Sequence, residues 1–266
     1  MTSPDPAAER FALAQTIAES AGKLALDYFR HPERLRIEAK VNAQDMVSQA
    51  DREVEELIRA GIADRFPEDR IIGEEFGFDR KQSDYTWVID PIDGTSPFVN
   101  GIPAWCVSIA LISGERHVAG VIFAPCTGEL YAARAGHGAT MNGRALSVAK
   151  DATLADGLMG LGANHRVPAR AVSEFVRLLL EHGGMFTRNG SGALMLAYVA
   201  AGRLAAYYEP HINAWDCLAG LCLVREAGGW TNDFFAESGL EKGGRVIAAA
   251  QKAKEPLLKL IEASGA

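Results

Sequence analysis

Cysteine is scarce in this chain. Cys106, Cys126, Cys217 and Cys222 are the four among 266 residues, none in CxxC spacing and most among apolar neighbours. That excludes a disulfide framework and fits buried thiols in a reducing compartment. The six histidines are scattered without HxH or HExxH spacing, so zinc chemistry of that kind is excluded. Long apolar runs are missing too: Trp105–Ile112 and Ala193–Ala201 fall far short of the ~18 residues a membrane helix needs. No cluster of basic residues occurs, and Lys plus Arg (27) are outnumbered by Asp plus Glu (34), for a net charge of −7. Neither a nucleic-acid stripe nor a membrane-surface patch is expected. The opening MTSPDPAAER has no basic n-region and no apolar h-region, so it does not read as a signal peptide. The expectation is a soluble cytoplasmic protein that binds neither nucleic acid nor membrane. Its 48% apolar and 23% charged residues are enough to bury a substantial core.

Apolar residues at 11, 14, 18, 21, 25 and 28 mark one buried helical face, ended by His31-Pro32. A second helix is expected from about Asp45 to Phe66, with its stripe at Val47, Val54, Ile58 and Ile62. Asp51 falls on that stripe, and a lone buried acid needs a partner or a metal. Strands are expected at Ile71–Ile72, Thr86–Ile89, Val107–Ile112, Ala119–Phe123 and Leu130–Ala133. A hairpin turning at Asn142-Gly143 should join Ala139–Met141 to Leu146–Val148. After about Asp151 the pattern alternates. Strands at Leu158–Leu161, Met185–Thr187, Leu204–Tyr208 and Arg245–Ala249 interleave with helices over Pro168–Leu180, Ala193–Ala201, Ala214–Glu226 and the C-terminus. The whole reads as an α/β (α+β) chain, a single domain over 1–266 with subdomains of about 1–150 and 151–266.

Several acids sit where the chain changes element. In Trp87-Val88-Ile89-Asp90-Pro91-Ile92-Asp93-Gly94-Thr95 an apolar strand ends at Asp90, and Asp93-Gly94 turns toward a helix start. Two carboxylates on such a rigid turn can converge on one hard cation, and Mg²⁺ suits oxygen ligands that it bridges to phosphate. The amides of Gly94, Thr95 and Ser96 would then form an anion site at a helix N-terminus. The same turn could instead cap the helix. Glu74 and Glu75, after Ile71-Ile72-Gly73, could be a solvated loop end. Asp216, after Asn213, could simply favour the helix dipole. Together, Asp51, Glu74, Asp90, Asp93 and Asp216 lack basic counterparts nearby. Multiple metal ions would neutralise them, which points to a metal-dependent phosphatase.

Four blocks carry a resemblance: Lys40 and Asp45-Met46-Val47-Ser48 through Asp51; Gly73-Glu74-Glu75; Asp90-Pro91-Ile92-Asp93-Gly94-Thr95 through Phe98; and Trp215-Asp216 through Gly228-Gly229. In this order they resemble the inositol monophosphatase family of lithium-sensitive, Mg²⁺-dependent phosphatases, over about residues 10 to 250. The resemblance implies a layered αβαβα sandwich of the inositol monophosphatase and fructose-1,6-bisphosphatase type, and a homodimer. It implies that Glu74, Asp90 and the Ile92 carbonyl hold one Mg²⁺, and that Asp90, Asp93 and Asp216 hold a second. Glu74 would reach a third, weaker ion through water. Asp51 with Thr95 would orient and deprotonate the attacking water, and the amides of Gly94 and Thr95 would take phosphate oxygens. Glu209 would bind polyol hydroxyls, with Gly190, Ser191 and Gly192 on the substrate side.

Leu218, Gly192 and Ser96-Pro97 depart from the family's usual residues without removing a metal ligand, so they bear on substrate choice. Ile102-Pro103-Ala104-Trp105 resembles the related histidinol-phosphate phosphatases, whereas Trp215 and Ser191 resemble the inositol-phosphate branch. The expected substrate is therefore inositol 1-phosphate, with histidinol phosphate as the alternative. A regulatory binding protein that retains the fold is the reading from a different class.

Overall fold

The computed structural model describes residues 5–39 and 46–265. Helix α1 (Pro6–Arg30) starts at Asp5, whose carboxylate accepts from the amides of Ala7 and Ala8. The periodic positions Ala14, Ala18, Ala21, Ala25 and Tyr28 are buried, and Phe11 is half-buried. An antiparallel ribbon follows, β1 (Ile37–Ala39) with β2 (Met46–Ser48), and then α2 (Gln49–Arg65). The expected helix start near Asp45 is corrected: Met46–Ser48, including Val47, is strand. Ser48 takes the N-cap position and the Asp51 carboxylate accepts from its amide, so the helix begins at Gln49. Lys40 and Asp45 of the first motif lie outside the described residues.

Eight strands come next: β3 (Arg70–Gly73), β4 (Gly77–Phe78), β5 (Thr86–Asp93), β6 (Cys106–Ser113), β7 (Arg116–Ala124), β8 (Glu129–Arg134), β9 (Ala139–Met141) and β10 (Arg144–Ala145). The short helix α3 (Thr95–Val99) lies between β5 and β6. These strands form one sheet in the order β10-β9-β8-β7-β6-β5-β3-β4, antiparallel except for the β3–β5 pair. Asn142-Gly143 makes the expected turn, with φ of 49° and 76°. The return strand is Arg144–Ala145 rather than Leu146–Val148, because Val148 leaves the sheet to donate its amide to Ala227.

The second half supplies β11 (Leu158–Leu161), α4 (Ala169–Glu181), β12 (Met185–Thr187), α5 (Gly192–Ala200), β13 (Ala206–Ile212) and α6 (Ala214–Glu226). It ends with β14 (Trp230–Thr231), α7 (Gly239–Lys242), β15 (Gly244–Ala249) and α8 (Gln251–Ser264). Its sheet runs β12-β11-β13-β15-β14, with β12, β11 and β13 parallel as the intervening helices require.

Strand alternation produces the layering. Trp87 and Ile89 of β5 face α1 and α2, together with Ile109 and Val121. Val88, one residue out of phase, faces α5 and α6, which are apolar nearly all round and also receive Tyr207, Val246 and Ala248 of the second sheet. Tyr208, Ile247 and Ala249 pack outward against α4 and α8. The result is the expected αβαβα sandwich, with α5 and α6 as the shared central layer.

Candidate active site

Asp90 follows Val88 by two residues, so the β5 pleat turns it toward the central helices. The strand does not end at Asp90 as expected but continues to Asp93. Pro91 cannot donate to the ladder, and the chain absorbs it as a bulge: pairing with β6 lapses after Asp90–Ser108 and resumes at Asp93–Cys106. Gly94 then reverses the chain at φ 97° and caps α3; a Cβ there would lie 2.9 Å from the Ala104 carbonyl oxygen.

Asp216 comes from the first turn of α6, where its Oδ2 accepts from the Asn213 amide at 3.1 Å. Glu74 stands just past the end of β3. Ligand oxygens of Glu74, Asp90 and Asp216 all lie within 4.8 Å of one another. Burial first, then the charges of Glu74, Asp93 and Asp216, push Asp90 well above the usual carboxylate range. Burial, then Asp93 and Glu74, does the same to Asp216. Such carboxylates require protons or a cation, and an all-oxygen donor set of this kind fits a hard divalent ion such as Mg²⁺.

Asp93, expected beside Asp90 and Asp216 in a second metal set, falls outside that three-acid group. Its Oδ2 accepts from the Ser191 hydroxyl and from the Ala193 amide at 2.7 Å, tying β5 to the N-terminus of α5. Burial pushes its carboxyl up to about 7 against those bonds. Ser191, expected on the substrate side, also caps α5 by accepting from the Leu194 amide, so its hydroxyl holds Asp93 in place. Gly190 and Gly192 line the same cavity.

Asp51 and Thr95 meet as anticipated. Thr95 Oγ1 lies 3.2 Å from both Asp51 Oδ1 and the Ile92 carbonyl, while Asp51 Oδ2 accepts from the Ser48 amide at 2.8 Å and hydroxyl at 2.6 Å. Glu209 reaches the cavity from β13, at a point where pairing with β15 slips between Glu209 and Ile212. It accepts from the Tyr207 hydroxyl and from Asn164 Nδ2, the latter at 3.2 Å. Burial pushes its carboxyl up, opposed by these bonds and by the nearby Arg188 and Arg166. The cavity, about 230 Å³, is lined by Glu74, Asp90 and Asp216 together with Glu209, Arg166 and Arg188.

Sequence reasoning missed Asn164 and Arg166, which no local motif marks, Arg188, which leads the Gly190–Gly192 loop, and Tyr207, which strand alternation puts on the same face of β13 as Glu209. It also missed Glu55, fully buried on α2. Glu55 follows Asp51 by four residues, so the signal that singled out Asp51 was available for it as well. His211, expected in an exposed loop, is half-buried on β13, with its Nε2 against the Lys242 carbonyl. Cys106, Cys217 and Cys222 are buried and Cys126 is half-buried, all free thiols, as anticipated. No described helix is long and apolar enough to cross a membrane.

Comparison with known proteins agrees with this geometry. The inositol monophosphatase family matches residues 7–266. The Inositol-1-monophosphatase of Mesorhizobium japonicum is 39% identical over 249 residues, covering 92% of this chain and 93% of the relative. The Nus factor SuhB of Pseudomonas aeruginosa is 36% identical over 260 residues, 94% of each. Among solved structures, the extragenic suppressor protein suhB of Bartonella henselae superposes with a TM-score of 0.87 at 33% identity, covering 95% of this chain and 97% of that one. The Thermotoga maritima IMPase gives a TM-score of 0.86 at 30% identity, covering 97% and 98%. The class so defined is a phosphatase, a phosphoric monoester hydrolase. The chain belongs to the inositol monophosphatase family.

Proposed function

We propose that this chain hydrolyses a small polyol monophosphate, inositol 1-phosphate ahead of histidinol phosphate, with two to three Mg²⁺ ions per site. Glu74, Asp90, Asp216 and the Ile92 carbonyl would hold the cations, with Asp93 contributing the oxygen that Ser191 and Ala193 leave open. When bound, the cations supply Lewis acidity that neutralises phosphate charge and makes a water nucleophilic at neutral pH. Thr95 and Asp51 orient that water. A proton leaving it passes to the Thr95 hydroxyl as Thr95 hands its own to Asp51 Oδ1, 3.2 Å away. Water attacks phosphorus, the P–O bond to the polyol breaks, and the alcohol leaves with a proton from solvent. The amides of Gly94, the cap of α3, and of Thr95, its first residue, have no intrahelical acceptor and receive phosphate oxygens. Gly190, Ser191 and Gly192 border the leaving group.

What carries the reading is Glu209. A buried carboxylate fixed by Tyr207 and Asn164 in the same cavity as the three acids offers acceptors to hydroxyls. Phosphate release from inositol 1-phosphate and histidinol phosphate, with and without Mg²⁺, tests it. Mg²⁺-dependent turnover that favours the inositol ester supports the proposal. Preference for histidinol phosphate moves the substrate, and silence on both overturns it. A regulatory role beside catalysis is the second reading, favoured by the relatives named Nus factor SuhB. If a catalytically dead variant still rescued a deletion strain, that role would stand apart from hydrolysis.

A further inference from the structure

Residues 74–76 stand between two strands: β3 ends at Gly73 and β4 begins at Gly77. The sheet's ladder therefore stops where Glu74 must be held most accurately. Side chains from α2 take over. Glu55 is fully buried, and its Oε2 accepts from the Glu75 amide at 2.8 Å. Its Oε1 accepts from the Phe76 amide at 3.2 Å and from Arg59 Nε at 2.7 Å. Arg59, one helical turn on, reaches past Glu55 to donate from Nη2 to the Gly77 carbonyl at 2.9 Å. Its guanidinium also lies 5.8 Å from the Phe76 ring centroid.

The other side of Glu74 is fixed by contact. A Cβ on Gly73 would stand 2.1 Å from Glu55 Oε1 and 2.9 Å from Arg59 Nη2. Any side chain there would expel the carboxylate from the turn. Glu74 is thus bracketed by a residue packed against Glu55 and a residue whose amide Glu55 accepts. A carboxylate is suited to this task because it is acceptor-only and can take all three donors at once. Glutamine must turn an NH₂ toward an N–H, leaving buried donors facing each other.

We propose that Glu55, braced by Arg59, is a positioning residue that presents the Glu74 carboxylate to a divalent cation, and that Gly73 is glycine to admit it. This rests on the reading of Glu74 as a cation ligand. Glu55 touches neither substrate nor metal; it acts through the turn. Partners of this kind, one shell out from the ligands, change metal affinity by about 10–100-fold when removed.

The test is calorimetric titration of the metal-free full-length protein with Mg²⁺, well below its melting temperature, for wild type, Glu55→Gln, Gly73→Ala and Arg59→Ala. Phosphate release against Mg²⁺ concentration runs alongside. Glu55→Gln and Gly73→Ala should each weaken Mg²⁺ binding by about tenfold or more. Their rate curves should move to higher Mg²⁺ by the same factor, and kcat at saturating Mg²⁺ should largely recover. Arg59→Ala removes its bonds to Glu55 and the Gly77 carbonyl but leaves both amide contacts in place, and should lose roughly threefold, less than Glu55→Gln. A role in folding alone would lower the melting temperature and leave Mg²⁺ affinity untouched; that result overturns the proposal. Should Glu55→Gln fail to fold, an unchanged Mg²⁺ affinity in Arg59→Ala overturns it equally. Calorimetry also separates the two readings. Wild type that binds Mg²⁺ but releases no phosphate refutes the phosphatase reading while the Glu55 comparison proceeds, and wild type that binds no Mg²⁺ refutes both.

Discussion

The buried acids of α2 and Asp90 at the cavity are held in different ways. On α2, Asp51 accepts from the amide and hydroxyl of Ser48 and from Thr95, and Glu55 accepts from Arg59 and from the amides of Glu75 and Phe76. Their charge is dispersed onto fixed donors. At the cavity, Asp90 receives one amide, that of Ile92 at 2.9 Å, and otherwise faces Asp216, Asp93 and Glu74. A protein tolerates a buried carboxylate when donors surround it, so Asp90, which meets mainly other carboxylates, marks where an outside cation belongs. The contrast separates framework from chemistry: α2 builds the turn, and the acids at the strand and helix ends are left to act.

The sharpest way to break that contrast is Asp90→Asn. Loss of a cation ligand should lower Mg²⁺-dependent phosphate release by about a thousandfold, roughly 4 kcal/mol of transition-state stabilisation. Without metal the same change relieves repulsion, so the melting temperature in EDTA should rise by about 2 °C. A fall in EDTA would mean that Asp90 is structural like Glu55, and the distinction between the two would collapse.

Next in size is the pH dependence of the metal-free protein. Asp90, Asp93 and Asp216 have folded values raised above the unfolded one, so the folded state holds more protons and stability declines as pH rises. For Asp93 the decline starts near the unfolded value of 3.8 and is complete above about 7. His117 works the other way. Burial and Arg225 hold its imidazole down to about 4 from 6.5, so stability falls as pH drops through that range. Above pH 6.5 this opposing effect, shared by His211 whose imidazole burial also holds down, fades as the unfolded histidines lose their protons, while the acids continue. Melting temperature in EDTA should fall between pH 6.5 and 7.5, and saturating Mg²⁺ should flatten the profile. A flat profile in EDTA would show that these carboxylates are not coupled by burial.

Most of the layering was legible because apolar periodicity is a local signal. The α1 face, Leu158–Leu161 and Met185–Thr187 needed only their own residues, and α6 was bounded by Asn213 and Gly228-Gly229. The start of α2 was misplaced because Met46 and Val47 fit a helical stripe as well as a strand, and the Ser48–Asp51 cap decided between them. The run of β5 to Asp93 was missed because Pro91 reads as a stop, and only pairing with β6 shows that a bulge absorbs it. At the site, Asp51, Glu74, Asp90 and Asp216 stood out by position. Asn164 did not, since its work depends on β13 and the segment after β11 lying side by side; Tyr207 was overlooked although strand alternation puts it on the same face of β13 as Glu209.

That neighbour relation supports the smallest and most selective prediction. Glu209 resembles the α2 acids in having donors of its own, yet it lines the reacting cavity. Glu209→Ala should raise KM for inositol 1-phosphate about tenfold with little change in kcat, the signature of a ground-state hydroxyl contact. Asn164 donates to both Glu209 and the His211 carbonyl, so Asn164→Ala should raise KM by only about threefold, the scale of one hydrogen bond. If Asn164 acts through Glu209, the double variant should be no worse than Glu209→Ala alone. Multiplying effects would instead make Asn164 a substrate contact in its own right, and Glu209 would then owe its position to Tyr207.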